Sequence, residues 1–241
     1  MLKVIKAVAL QKNQLIKDVR KAKMRENFKG LPSISSTCVG CKLCEKVCPT
    51  GAIQNGKIDL GKCTFCCECE RVCPNSAIKF TTNNRMAATS REELLTDGVL
   101  NPAKVNAEIK RLLGRSLKLR QVSAGGCNAC EMELNAASNA NFDIGRFGIE
   151  FVASPRHADG IVITGPVSKN MARALEETFN AVAEPKIIIA VGACAISGGI
   201  FQDSEEIDRS FFERHKPDLY IPGCPAHPLV IINAILDFLG K

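Results

Sequence analysis

The chain has 241 residues, a formal net charge of +7, thirteen cysteines, no Trp and one Tyr. That length suits one or two domains, and no apolar run reaches the eighteen or so residues that a membrane-spanning helix needs. The N-terminus is too charged for a secretory signal, so this many cysteines predicts a reducing, cytoplasmic setting in which thiols hold metal and do not form disulfides.

Residues 1–35 read as a basic arm. Up to residue 36 there are nine Lys or Arg against Asp18 and Glu26, which accounts for the whole positive excess of the chain. Residues 2–27 lack Pro and Gly and carry Leu2, Ile5, Val8, Ala9, Ile16 and Val19 at near-helical spacing, a pattern that predicts a basic amphipathic helix. Such a helix can lie on an anionic membrane or in a partner's groove. It can equally pack, solvated, on its own protein. Nucleic acid is a poor fit, because the arm has no interleaved aromatic residues.

Residues 36–82 carry one pattern twice: Cys38-x2-Cys41-x2-Cys44-x3-Cys48-Pro49, then Cys63-x2-Cys66-x2-Cys69-x3-Cys73-Pro74. Every cysteine of the second run lies twenty-five positions after its counterpart, and Ala52-Ile53 returns as Ala77-Ile78. This spacing is the bacterial pattern for two [4Fe-4S] clusters, with the fourth cysteine of each run crossing to the other cluster. One set is then Cys38, Cys41, Cys44 and Cys73, and the other Cys63, Cys66, Cys69 and Cys48. Three thiolates two residues apart can wrap one cube only if the loop curls tightly, and Gly40 suits that close approach. The Pro after each fourth cysteine fixes φ and turns the chain away. Zinc is the competing reading, but zinc takes four ligands in two pairs, whereas each run here crowds four into eleven residues. Between the runs, residues 52–58 predict a hairpin around Asn55-Gly56.

The stretch resembles the two-cluster bacterial ferredoxins, and so implies an α+β ferredoxin-like domain over residues 36–82. Phe28-Lys29-Gly30-Leu31-Pro32, just before it, is similar to the lead-in to the cluster motif in the ferredoxin-like subunit of complex I and its hydrogenase relatives. That likeness implies an arm docked near membrane subunits.

Residues 83–117 read as a linker, polar at first and then helical from Asn101 or Pro102 to Leu113, ending at Gly114. From 118 to 241 short apolar runs alternate with helical patterns. Strands are expected at 118–122, 147–152, 160–164, 186–191 and 218–221, and helices at 131–139, 171–182 and 229–239. Alternation of this kind predicts an α/β domain with a parallel, doubly wound sheet.

Four further cysteines each follow a predicted strand: Cys127 and Cys130 in Gly126-Cys127-Asn128-Ala129-Cys130-Glu131, Cys194 in Gly192-Ala193-Cys194-Ala195, and Cys224 in Pro222-Gly223-Cys224-Pro225. In an open parallel sheet the carboxyl ends of the strands share one edge, and ligands bind there. Strand placement therefore favours a third [4Fe-4S] cluster, with a redox dithiol at Cys127/Cys130 or a structural zinc as the alternatives. These motifs, with Ala158-Asp159-Gly160-Ile161-Val162-Ile163-Thr164-Gly165-Pro166-Val167 and Ser197-Gly198-Gly199, resemble the small subunit of [NiFe] hydrogenases and its complex I counterpart across residues 119–241. The resemblance implies a flavodoxin-like fold and assigns Cys127, Cys130, Cys194 and Cys224 to the cluster nearest the partner's active site. Quinone-reducing complex I members have adjacent cysteines at the first position. Hydrogenases have the separated form found here. Carrying both parts on one chain departs from relatives that keep them as separate subunits.

Twelve thiols are then assigned and Cys67 remains, so no cysteines are left for a nickel–iron centre. The reading that results is the three-cluster electron-transfer subunit of an oxidoreductase complex, a membrane-associated [NiFe] hydrogenase of the group 4 type. Its catalytic metal centre would sit on a partner large subunit, and it would lie peripherally on the inner face of the cell membrane. The alternative is a subunit of a complex I-like ferredoxin or quinone oxidoreductase without hydrogenase activity. Cys67 reads as a buried filler and Glu131, next to a ligand and facing the expected partner, as a candidate for proton relay. His227 could donate to a cluster sulfide or cap the last helix, and His157 and His215 read as structural.

Overall fold

The computed structural model describes residues 2–10, 14–100, 103, 105 and 107–241. Helix α1 (Leu2–Leu10) opens the chain, but residues 14–31 are not helical, so the helix expected through residue 27 stops early; residues 11–13 lie outside the described part. The reason is tertiary. Residues 16–31 run as a strap over the C-terminal helix, where Val19 and Leu31 are only 2% and 4% exposed. The strap's backbone is satisfied from outside: Asn141 accepts from the Ile16 amide, Arg146 donates to the Ile16 carbonyl, and Asn233 Nδ2 donates to the Val19 carbonyl. Arg20 reaches Asp237 and the Lys241 carbonyl.

The cysteine-rich region is built from two similar turns. β1 (Pro32–Ile34) pairs antiparallel with β4 (Ile78–Phe80). Between them come α2 (Leu43–Val47), β2 (Ile53–Gln54), β3 (Lys57–Asp59) and α3 (Glu68–Val72). Each short helix follows a residue forced to positive φ, Lys42 at 61° and Cys67 at 64°, twenty-five positions apart like the thiols. The β2–β3 hairpin turns on Asn55 and Gly56 at φ 50° and 71°, the conformation that Asn-Gly favours in a two-residue hairpin loop.

The expected linker is woven into both halves. β5 (Leu95–Thr96) adds a third strand to the hairpin beside β3, and Ala88 exchanges backbone hydrogen bonds with Tyr220 on the far sheet. Helix α4 (Ala107–Leu113) closes at Gly114, and its expected start at Asn101 or Pro102 lies outside the described residues.

The rest is a parallel sheet. β6 (Leu117–Ser123), α5 (Ala129–Ala137), β7 (Ile149–Phe151), β8 (Gly160–Thr164), α6 (Lys169–Asn180), β9 (Ile187–Val191), α7 (Gly192–Ser197), α8 (Ser210–Arg214), β10 (Leu219–Ile221) and α9 (Pro228–Phe238) follow in order. The strands stand as β10-β9-β8-β6-β7, each neighbouring pair parallel. β8 is buried on both faces: Val162 joins the core shared with Leu119, Leu134, Ile189 and Ile231, while Ile161 and Ile163 join Leu175, Phe179 and Phe211 on the other side. Both halves of the fold class expected from sequence are present, a ferredoxin-like region and a five-stranded flavodoxin-like sheet.

The two halves share one core, since Ile58, Leu60 and Leu94 belong to the same apolar cluster as Ile196 and Leu219. Arg91 forks onto Asp59 at 2.7 and 2.6 Å, and Gln202 Nε2 donates to the Thr50 carbonyl at 3.2 Å. At Gly61 a Cβ would lie 2.7 Å from Ile196 Cγ2; only glycine allows that approach.

Candidate metal centres

The thiols gather in three places. Cys38, Cys41, Cys44 and Cys73 line one cavity of about 180 Å³, walled by apolar Ile34, Leu43, Ile53 and Ile78. Cys48, Cys63, Cys66 and Cys69 line a narrower one with Cys67, Ile58 and Phe80, and Ile53 forms part of both walls. The fourth cysteine of each run thus lines the cavity of the other group. Cys38 and Cys41 are exposed, whereas Cys63 and Cys69 are buried.

Backbone amides aim at several sulfurs in a repeated way. The Ala52 amide donates to Cys48 Sγ and the Ala77 amide to Cys73 Sγ, both at 3.2 Å, and the Phe65 amide donates to Cys63 Sγ at 3.3 Å. These bonds favour thiolate, and at Cys73 they hold the thiol below its ordinary pKa. Elsewhere burial wins: it raises Cys63, and it pushes Cys69 up to about 12.

The third group forms at the carboxyl edge of the parallel sheet, from the loops after β6, β9 and β10. Glycine makes the convergence possible. Gly126 and Gly165 meet back to back, so that a Cβ on Gly165 would sit 2.5 Å from the Gly126 nitrogen. Gly192, at φ +88°, faces Cys130, and a Cβ there would lie 2.6 Å from its Sγ. The Ala193 amide donates to the Gly223 carbonyl at 2.9 Å, tying the Cys194 and Cys224 loops together. Cys130 is pushed up to about 12 by burial and then by Glu131, Cys194 and Cys224, and Cys194 to about 11 by burial and then by Cys224 and Cys127. Burial also raises Cys224, with Cys127 and then Cys66 as the charges that add to it, so the second and third groups adjoin.

This donor set fits iron–sulfur clusters. Free thiols crowded together in apolar walls resist ionising, and a bound cationic centre is what holds them as thiolates. A single zinc would draw four sulfurs to about 2.3 Å from one point, yet among the described residues no three His, Cys, Asp or Glu side chains could hold one metal ion. The thiols of the first two groups instead line openings, as ligands of a multi-iron cube would.

The neighbouring residues divide differently from expectation. Glu131 does not face outward: at 5% exposure it points inward, where Ser123 Oγ and Thr164 Oγ1 donate to its Oε1 at 2.6 and 2.8 Å. It braces the Cys130 turn against the ends of β6 and β8. His227 accepts the Leu229 amide on Nδ1 at 3.1 Å, so it caps α9, with its ring between Phe28 and Phe142 and its pKa lowered by burial. His215 packs on Phe179 and Phe211 near Glu176. Cys67 is 7% exposed and its thiol donates to the Phe65 carbonyl.

Arg209 gave no signal in the sequence. Its guanidinium caps α7 by donating to the carbonyls of Ala195 (2.8 Å), Ile196 (3.0 Å) and Cys194 (3.3 Å), and also to Pro166 (3.2 Å). Burial lowers its pKa to about 10.

Residues 127–238 match the family model described as "NADH ubiquinone oxidoreductase, 20 Kd subunit", and residues 33–54 and 57–79 each match "4Fe-4S binding domain". A relative in Pyrococcus furiosus, "Probable membrane-bound hydrogenase subunit mbhJ", is 35% identical over 56% of this chain and 81% of its own length. "Formate hydrogenlyase subunit 7" of Escherichia coli is 38% identical over 57% of this chain and 54% of its own length. An NADH-quinone oxidoreductase subunit of Geotalea daltonii is 41% identical over 48% of this chain and 69% of its own length.

Proposed function

Because the chain belongs to the family of the 20 kDa subunit of NADH ubiquinone oxidoreductase and carries a 4Fe-4S region ahead of it, we propose that it is the three-cluster electron-transfer subunit of a membrane-associated [NiFe] hydrogenase complex. Cys38, Cys41, Cys44 and Cys73 would hold the first cluster, Cys48, Cys63, Cys66 and Cys69 the second, and Cys127, Cys130, Cys194 and Cys224 the third. Clusters bound there supply one-electron carriers, and the protein supplies their spacing, hydrogen bonds and solvent access.

The observation that carries this reading is the meeting of Cys127, Cys130, Cys194 and Cys224 from three separate loops, next to the second thiol group. Exposure supports the direction of assembly. Cys38 and Cys41 with Val39 open the first group to solvent, where an external carrier can reach it. Cys127 and Cys224 open the third group, near the exposed side chains of Met132 and Ile200, to a large subunit. Membrane subunits would meet α1, whose Lys3, Val4, Ile5 and Lys6 are exposed, whereas residues 16–31 are occupied by the protein itself. No helix among the described residues is long and apolar enough to cross a membrane, consistent with peripheral attachment.

The complex I-like alternative is favoured by the NADH-quinone oxidoreductase relative. The separated pair at Cys127 and Cys130 favours the hydrogenase by resemblance. Purification of the complex with a tagged chain tests this: hydrogen evolution from a low-potential dye with a nickel-containing large subunit is expected. A nickel-free complex that reduces quinone or ferredoxin would replace it with the alternative.

A further inference from the structure

Among the described residues, Arg209 stands out as a cation with no carboxylate paired to it. All four of its hydrogen bonds go to backbone carbonyls, and its guanidinium lies over the Phe212 ring at 4.3 Å from the centroid. The nearest carboxylate in sequence, Asp208, turns away to accept the Ser210 amide at 2.9 Å. Among the described residues, the charged groups that act on Arg209 are Arg91, itself paired with Asp59, and the Cys194 sulfur. Guanidinium stays protonated in proteins, so a permanent positive charge is enclosed beside the turn that carries Cys194. Taking a charge out of water costs several kcal/mol unless something compensates. The carbonyl dipoles of α7 do so in part; the anion that also acts on Arg209 is the Cys194 sulfur, one member of the third thiol group.

We propose that Arg209 is a positioning and tuning residue for the third cluster: it fixes the Cys194 turn through the α7 carbonyls, and its charge raises the reduction potential there above what the thiols alone would give. The inference rests on the three-cluster reading. A cube held by four thiolates is anionic, and reduction adds one more negative charge. A fixed cation nearby therefore stabilises the reduced form more than the oxidised one, and net charge is among the factors that set such potentials. The fork's hydrogen bonds all go to the Cys194 turn and Pro166, so the third cluster is the one it acts on most directly. The consequence is a bias: the charge makes the third cluster easier to reduce, relative to the first two, than it would be in a chain without Arg209.

The test is a redox titration of the intact complex, followed by low-temperature EPR, with Arg209→Gln and Arg209→Lys. In Arg209→Gln the third signal is expected at a lower midpoint potential with the other two unmoved, and in Arg209→Lys, which keeps the charge, close to the unmodified value. A Gln variant lacking the third signal, beside a Lys variant that keeps it at the unmodified potential, also supports the assignment to the charge. An unmoved third potential in Arg209→Gln overturns it, as does the same change or the same loss in both variants. Absence of a third signal from the unmodified complex removes the three-cluster reading and this inference with it, so the two failures are told apart.

Discussion

Gly192→Ala is the sharpest single change the third thiol group offers. At φ +88° the backbone suits glycine, and a left-handed conformation costs an L-residue about 1–2 kcal/mol. The added methyl would lie 2.6 Å from Cys130 Sγ, roughly 1 Å inside an ordinary contact. The atom it meets is a proposed ligand, so either the methyl or the thiol must move. Overpacking of this kind adds about 1–3 kcal/mol, for a total of roughly 2–5 kcal/mol. Gly56→Ala is the control: φ is +71° with nothing within 4 Å of the added methyl, so it carries the conformational cost alone. Both variants would be prepared anaerobically and compared by iron content, EPR and thermal unfolding. Gly192→Ala is expected to lose one signal and about four irons, keep the other two signals, and melt well below the control. A variant that retains three signals and unfolds with Gly56→Ala would refute the claim that this glycine makes room for the Cys130 thiol.

Cys194→Ser is expected to remove the third EPR signal and leave both ferredoxin-type signals, since Cys194 lines neither of the other two cavities; loss of all three would contradict that separation. Asp237→Ala strips both Arg20 and Arg85 of their carboxylate and should cost roughly 1–3 kcal/mol. Faster proteolysis within residues 14–27 at unchanged iron content would be its signature, and unchanged proteolysis would count against a clasped strap. Glu131→Gln keeps an oxygen for Ser123 and Thr164, whereas Glu131→Ala takes that acceptor from exposed Ser123 and from buried Thr164, which retains the Val122 carbonyl at 3.3 Å, at about 1 kcal/mol or more. A stable Gln variant beside a destabilised Ala variant is expected in denaturant titration; equal stability would argue against a brace.

What could be read from the sequence was what local chemistry imposes. The cysteine spacing suggested which thiols group together because wrapping a cube restricts the loop, but it did not point to Lys42 and Cys67 as the residues at positive φ. Asn55-Gly56 marked its hairpin, and the apolar runs marked all five parallel strands to within a few residues. The misses are features decided by distant partners. Val19 carries a helical pattern, yet it is buried in an irregular strap because α9 is there to cover it. β5 has two residues, and α7 and α8 have six and five, too few for periodicity to register. Arg209 lies in a polar stretch with no motif, and only the folded chain brings it under the Cys194 turn.

The polar segment after residue 82 shows most clearly why separate domains joined by a linker is the wrong picture. Its backbone completes one sheet through Leu95 and Thr96 and bridges the other through Ala88. Its side chains Arg85 and Arg91 hold Asp237 on α9 and Asp59 beside the hairpin. Pulling the halves apart would expose apolar residues such as Ile58, Leu60 and Leu94 that share one core with Ile196 and Leu219, so separation cannot be a low-energy motion. In the three-cluster reading proposed above, electron transfer between the second and third thiol groups would depend on a fixed gap, and Cys66 and Cys224 lie on opposite sides of this seam. Where relatives keep the two parts as separate subunits, an intermolecular interface must set that gap. Here a continuous core and a glycine contact at Gly61 set it within one chain.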